Sequence, residues 1–273
     1  MKTSRFDIRV VVVFLVVILV LSGKLWMDYN ERTSRARAKG GEFTIHSEIL
    51  GEERTFIVHL PAGYNDSVEA FPVLYLLDAE MESVFKHSVS MVESQYKLGV
   101  LPKMTVVGVQ NVNRNRDTIP VSVEERPGSG GALSFLRFLD EELVPLIEKS
   151  YRTSRPRVLY GASNSGLFAV YALLERPDSF DAYIASSPMI GWCPEYIHGL
   201  AEERFAETFQ DKFLFMIYGS RDYERVTEYI LGFVDHIQGK APEGLRWESR
   251  VLDGLGHVPA NSLEEGLRAL FSQ

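Results

Sequence analysis

Residues 158–175 read VLYGASNSGLFAVYALLE: a short apolar run, a Gly-x-Ser-x-small turn, and then an apolar helix with no linker between them. A turn of this kind forces its central residue into a strained backbone conformation that lifts the side chain above the sheet edge, where a hydroxyl can act as a nucleophile. The crowding of strand against helix demands tiny residues two positions to either side. Gly161 meets that demand ahead of Ser163, and Ser165 stands where a second glycine is usual. Ser165 is itself a candidate nucleophile, but a turn centred on it puts Leu167 at a position that must be small. Ser163 is therefore the expected nucleophile.

A serine hydroxyl needs a general base, and the base needs an acid to orient it. Of the six histidines, only His257 sits in a glycine-containing loop, Gly254-Leu-Gly-His257, between the last expected strand and the last helix. His46 and His59 fall in an early hairpin, and His87, His198 and His236 in helices or loops elsewhere, where surface or capping roles are the ordinary ones. The acid belongs just beyond an apolar strand at 213–218, which runs into Gly219-Ser-Arg-Asp222. Asp222 fits best, with Glu224 close enough to substitute and Asp253 able to do so if the last loop folds back. Backbone N–H groups for a developing oxyanion are expected from Asn164, directly after the nucleophile, and from Ala79 or Glu80, after the strand at 73–77.

These groups need a sheet whose strand ends converge. Alternating residues at 43–60, with a turn at 50–53, predict a β-hairpin. Continuous apolar runs at 71–77 and 105–109 predict buried parallel strands. Further strands are expected at 158–160, 182–185, 213–218 and 246–252. Helices are expected at 83–98, 225–237 and 262–271, with a long amphipathic helix at 132–151 whose apolar face holds Leu133, Leu136, Leu139, Leu143, Leu146 and Ile147. The RTSRPR run at 152–157 reads as a solvated turn. This alternation implies an α/β architecture, a mostly parallel central sheet with helices on both faces and an N-terminal antiparallel hairpin, with function at the carboxyl ends of the strands.

The chain has 273 residues and a formal net charge of −8, yet its first 40 residues hold eight Lys/Arg against three Asp/Glu. The remainder is thus more acidic still, which speaks against binding nucleic acid. One cysteine, Cys193, excludes an intrachain disulfide, and no motif for a metal or a nucleotide cofactor occurs, so no cofactor is expected. Lys2, Arg5 and Arg9 precede an unbroken apolar run at 10–21, the layout of an export signal. If uncleaved, residues 10–27 form a marginal membrane anchor interrupted by Lys24, with Trp26 and Tyr29 at the interface. The expected organisation is a signal, anchor and linker over 1–40 and a catalytic domain over 41–273, exported to the periplasm or held on the outer side of the cytoplasmic membrane.

Beyond the individual residues, the chain resembles the putative-esterase family of α/β-hydrolases, which includes enterochelin-type siderophore esterases, S-formylglutathione hydrolases and mycolyltransferases. The likeness runs over residues 44–271 and rests on VHLPAGY at 58–64, FPVLYLLDAE at 71–80, GVQNVNRNRD at 108–117, FLRFLDEELVPLIEKSYRT at 135–153, the Ser163 turn with LFAVYALLERPDSFDAYIASSP, and GLGHVPANSLEEGLRALF at the end. It is strongest to the siderophore-esterase-like branch. It implies Ser163 as nucleophile and His257 as base. Two departures stand out: Ala162-Ser-Asn-Ser-Gly166 where His-Ser-x-Gly-Gly is usual, and Asp78-Ala79 where Asp-Gly is usual.

The expected function is that of a serine carboxylic-ester hydrolase working through an acyl-enzyme on a small-molecule ester. An acyltransferase would use the same residues, and a catalytically silent binding domain is the rival from another class. Arg114, Arg116 and Arg221 lie near expected strand ends, where they would either receive an anionic substrate or pair with Asp117, Asp222 or Glu224. Trp192, with Cys193 beside it, is expected to wall the substrate pocket.

Overall fold

The computed structural model describes Lys24 and residues 39–272. The export or anchor segment expected over 10–27 lies, Lys24 aside, outside the described residues, and among those described no helix is long and apolar enough to cross a membrane.

The strands are β1 (Gly41–Ser47), β2 (Glu52–His59), β3 (Phe71–Leu76), β4 (Thr105–Val109), β5 (Thr153–Ala162), β6 (Ala182–Ser186), β7 (Lys212–Gly219) and β8 (Leu245–Leu252). They form one sheet in the order β1-β2-β4-β3-β5-β6-β7-β8. The β1–β2 and β2–β4 pairings are antiparallel and all the others parallel. The hairpin turn falls two residues earlier than the sequence suggests, at 48–51, because Gly51 takes the left-handed φ of 65° that closes it.

The main helices are α1 (Glu82–Lys97), α2 (Arg114–Thr118), α3 (residues 132–150), α4 (Asn164–Glu175), α5 (Pro194–Arg204), α6 (Glu224–Lys240) and α7 (Ser262–Phe271). Residues alternate between the two faces of the sheet. Tyr75, Leu159, Tyr183 and Leu214 pack with Phe135, Phe168 and Phe233 of α3, α4 and α6. Leu74, Val106, Ile184 and Phe215 pack with Phe85, Leu263 and Leu267 of α1 and α7. Helix α4 is apolar all round because it is enclosed all round: every residue from Asn164 to Leu174 is buried.

Helix α3 departs from a regular spiral. It widens into a π-helical segment at Phe138–Leu143, directly before Pro145, which has no N–H to donate and whose ring crowds the preceding turn. Leu133, in the first turn, is exposed rather than on the apolar face. The 152–157 run is not a solvated turn. Arg152 is buried, stacks on the Tyr64 ring at 3.9 Å and donates to the carbonyls of Tyr64 and Glu69, while Thr153 opens β5.

One ion-pair network ties the hairpin to the rest. Arg54 of β2 is fully buried, lies over the rings of Phe135 and Phe138, and donates to Asp117 at 2.7 Å, Glu52 at 3.0 Å and the Gln110 carbonyl at 3.0 Å. Removing the Asp117 charge leaves the buried Arg54 with Glu52 alone as counter-charge. Asp117→Asn is therefore expected to lower unfolding free energy by about 3–5 kcal/mol, read as a fall in the urea midpoint at unchanged slope.

Candidate active site

Strand β5 ends at Ala162 and α4 begins at Asn164, so the whole reversal falls on Ser163, with φ 59° and ψ −117°. Its N–H donates to the Ser186 carbonyl at 2.8 Å, and its own carbonyl accepts from Leu167 at 3.0 Å and Met189 at 3.2 Å. Two glycines make room. A Cβ on Gly161 would lie 1.9 Å from the Ser165 carbonyl oxygen, and one on Gly166 would lie 2.8 Å from that of Ser186.

Ser165 explains how the chain does without the usual second glycine. Its hydroxyl is buried and donates to Asp78 Oδ1 at 2.8 Å. Asp78, at φ 61° just past β3, also accepts from Asn111 Nδ2 at 2.7 Å and from Arg114 Nε and Nη2 at 2.8 and 2.9 Å. Arg114 Nη2 reaches on to the Ala162 carbonyl at 3.0 Å. Burial works against the Arg114 charge, but the hydrogen bonds and attraction of Asp78 outweigh it and raise its pKa. Arg114 thus clamps the β3 and β5 ends together.

Above Ser163 stands the His257 ring, with Nε2 2.9 Å from Ser163 Oγ and Nδ1 2.8 Å from Asp222 Oδ1. A carboxylate can only accept, so Nδ1 carries the proton and Nε2 presents its lone pair to the hydroxyl. The Asp222 side chain is fully buried, and its Oδ2 accepts from Ser187 Oγ at 2.6 Å. The Ser187 hydroxyl in turn accepts from the Val258 amide at 2.9 Å, so one side chain fixes both the acid and the residue after the base. The acid and base loops also bond directly, through Arg221 N–H to the Leu255 carbonyl at 2.8 Å and Gly254 N–H to Ser220 Oγ at 2.8 Å. Gly219 allows this approach, since a Cβ there would lie 2.1 Å from the Leu255 carbonyl. Glu224 is exposed at the start of α6, and Asp253 accepts from Ser220; neither bonds His257.

The other expected site residues divide. The Ala79 N–H donates to the Val109 carbonyl at 3.1 Å, so it is spent in the sheet and is not an oxyanion donor. The Glu80 amide has no such bond, and its carboxylate accepts from the Asn111 backbone and side chain at 3.0 and 3.1 Å. The Asn164 amide opens α4 and has no intrahelical acceptor. Arg116 is drawn away from any substrate by Glu52, at 2.5 and 3.0 Å, and Asp117, at 2.8 Å; hydrogen bonding to Glu52 is the main cause of its raised pKa. Trp192 donates from Nε1 to Asn164 Oδ1 at 2.9 Å. Cys193 is buried, and burial pushes its thiol up to about 12. Ser187 escapes a reading by motif; its only sequence signature is the Ser186-Ser-Pro188 strand end.

With that geometry in view, known proteins are informative. The family model described as "Putative esterase" matches residues 47–227. The chain belongs to that family. Within it, ferri-bacillibactin esterase BesA of Bacillus subtilis (strain 168) is 39% identical over 197 residues, 62% of this chain. The match spans 65% of that relative, just under two thirds of its length. The siderophore triacetylfusarinine C esterase of Aspergillus fumigatus is 43% identical over 81 residues, 29% of this chain and 28% of the relative. Among solved structures, an IroE-like serine hydrolase from Shewanella oneidensis superposes with a TM-score of 0.78 at 32% identity, covering 86% of this chain and 80% of that one. The α/β-hydrolase fold of this esterase-family chain agrees with that structure.

Ser163→Ala and His257→Ala are each expected to lower kcat on an activated ester by at least about 10⁴-fold. Ser165→Ala should keep most activity, because Asp78 retains its Asn111 and Arg114 donors and only about 1 kcal/mol of stability goes with the hydroxyl. A dead Ser165 variant beside an active Ser163 variant would reverse the assignment. Ser187→Ala, which frees Asp222 to shift, is expected to cost about tenfold to a hundredfold in kcat with KM little changed. The Cys193 thiol should stay unreactive toward a disulfide reagent at pH 8 until the protein is unfolded; rapid native labelling would contradict its burial.

Proposed function

We propose that this chain is a serine hydrolase of carboxylic esters and that siderophore-type esters are its substrates. The observation that carries the reading is the continuous hydrogen-bonded chain from Ser163 Oγ through the His257 ring to Asp222, at 2.9 and 2.8 Å. As Ser163 Oγ bonds the ester carbonyl carbon, its proton passes to His257 Nε2 and the carbonyl electrons move onto oxygen. The Asn164 and Glu80 amides, both without an acceptor among the described residues, are the donors for that oxyanion. Collapse of the intermediate breaks the bond to the alcohol, which departs with the Nε2 proton and leaves the acyl group on Ser163. Water then attacks the acyl carbon and gives its proton to His257, which passes it back to Ser163 Oγ as the bond to the acyl group breaks and the acid is released. Asp222 holds the imidazolium that forms in each half.

The substrate class is supported by the relatives named for ferri-bacillibactin and triacetylfusarinine C esters. Export, with the domain outside the cytoplasmic membrane and the N-terminal segment serving as signal or anchor, is supported by Lys2, Arg5 and Arg9 ahead of the apolar run at 10–21.

Labelling by a fluorophosphonate, lost in Ser163→Ala, tests the nucleophile. Hydrolysis of a ferric trilactone siderophore and of a short neutral ester, with water as the only acceptor, tests the reaction. Cleavage of both is expected, with the siderophore favoured in kcat/KM by at least about tenfold. Labelling without turnover of any ester would overturn the reading, and turnover only when an acceptor alcohol is added would make the protein a transferase.

A further inference from the structure

An acidic chain that is to take an anionic ester needs positive charge at the mouth of its site. The two arginines that sequence places nearest are engaged: Arg114 holds Asp78, and Arg116 holds Glu52 and Asp117. Two others are not. The Arg126 guanidinium lies 4.0 Å from the centroid of the Trp192 ring and that of Arg225 lies 5.1 Å from it. Among the described residues neither guanidinium has a carboxylate partner. Arg225 Nη2 donates to the Gly191 carbonyl at 3.0 Å, and Arg126 Nε is buried with no acceptor among the described residues. Burying a guanidinium nitrogen without an acceptor is costly, and an anion bound over the ring would remove that cost.

Trp192 is held in place for this use. Its Nε1 donates to Asn164 Oδ1, and Asn164 directly follows the nucleophile. Gly191 is needed for the approach of α6, because a Cβ there would lie 2.6 Å from the Tyr229 ring and 3.3 Å from Arg225 Cγ. A guanidinium over an aromatic ring is held in orientation, and those of its N–H groups not otherwise bonded are left to donate to an oxyanion.

We propose that Arg126, Trp192 and Arg225 form a cationic subsite that receives the anionic part of the ester, a carboxylate or a metal-bound catecholate, beside Ser163. The assignment rests on the esterase reading for its purpose but is testable without turnover. Iron(III) tris-catecholate, an anion with no ester bond, serves as the probe in equilibrium dialysis against the full chain. Arg126→Gln and Arg225→Gln are each expected to raise its dissociation constant by about tenfold, the loss of one charge-assisted hydrogen bond. Arg155→Gln, which removes an exposed arginine paired with Asp181 away from the site, is the control for net charge and should leave binding unchanged. Thermal midpoints of the variants establish that each is folded. Wild-type affinity in both site variants, an equal loss in Arg155→Gln, or no binding by the wild type would overturn the subsite. A protein that binds the probe through Arg126 and Arg225 yet hydrolyses no ester keeps the subsite and loses the esterase reading; hydrolysis with probe binding indifferent to both arginines does the reverse.

Discussion

The site depends on a chain reversal completed within one residue. Ser163 sits in a backbone region costing on the order of 1–3 kcal/mol, and nothing in its own side chain offsets that. The compensation comes from its surroundings: the Ser186 carbonyl on its N–H, Leu167 and Met189 on its carbonyl, and Arg114 on the carbonyl just before it. Leu167 apart, the partners lie on other segments, the end of β6 with the loop after it and α2. The hydroxyl is therefore positioned by the assembled sheet, and no shorter piece of the chain reproduces its environment.

The same device recurs along the strand ends. Asp78 after β3, Ser187 after β6 and Val258 after β8 join Ser163 in having positive φ without being glycine. Three of the four place a polar side chain in the hydrogen-bond network of the site, and the fourth donates its amide to Ser187. Apart from Asp211, just before β7, strained non-glycine backbone among the described residues lies at the carboxyl edge of the sheet, while the central strands β4, β6 and β7 beneath it are buried throughout. Rigid packing by α4 and the aromatic layer of Phe135, Phe168 and Tyr75 supplies the stability against which such strain is tolerated.

Much of this arrangement was legible in the sequence because it follows from spacing. The apolar runs of β3, β4 and β7 mark strands buried on both faces, and that of β7 leads within a few residues to Asp222; Asn111, after β4, was not marked by its spacing. His257 stood apart through its glycine loop, for which the structure supplies the reason, since the loop passes against Gly219. What escaped was set by contacts between distant segments. No local pattern tells that the Ala79 amide is spent on Val109, that Arg116 is drawn to Glu52 of the hairpin, or that Ser187 bridges acid and base. Arg126 and Arg225 were equally silent, being 99 positions apart and brought together only by Trp192. The widened turn in α3 was foreshadowed by Pro145, but a period of 3.6 conceals it.

Asn164 joins two of these systems in one residue, its amide among the proposed oxyanion donors and its side-chain oxygen on Trp192. Recognition at the rim and charge stabilisation at the reacting carbon therefore share a single backbone position. On the proposed reading, a ligand that presses on the indole would act on the geometry of the amide, so that binding energy gained at the ring would be convertible into a lower barrier as well as a lower KM. An exchange of Asn164 that retuned which esters are accepted would then also retune how fast any of them is cleaved.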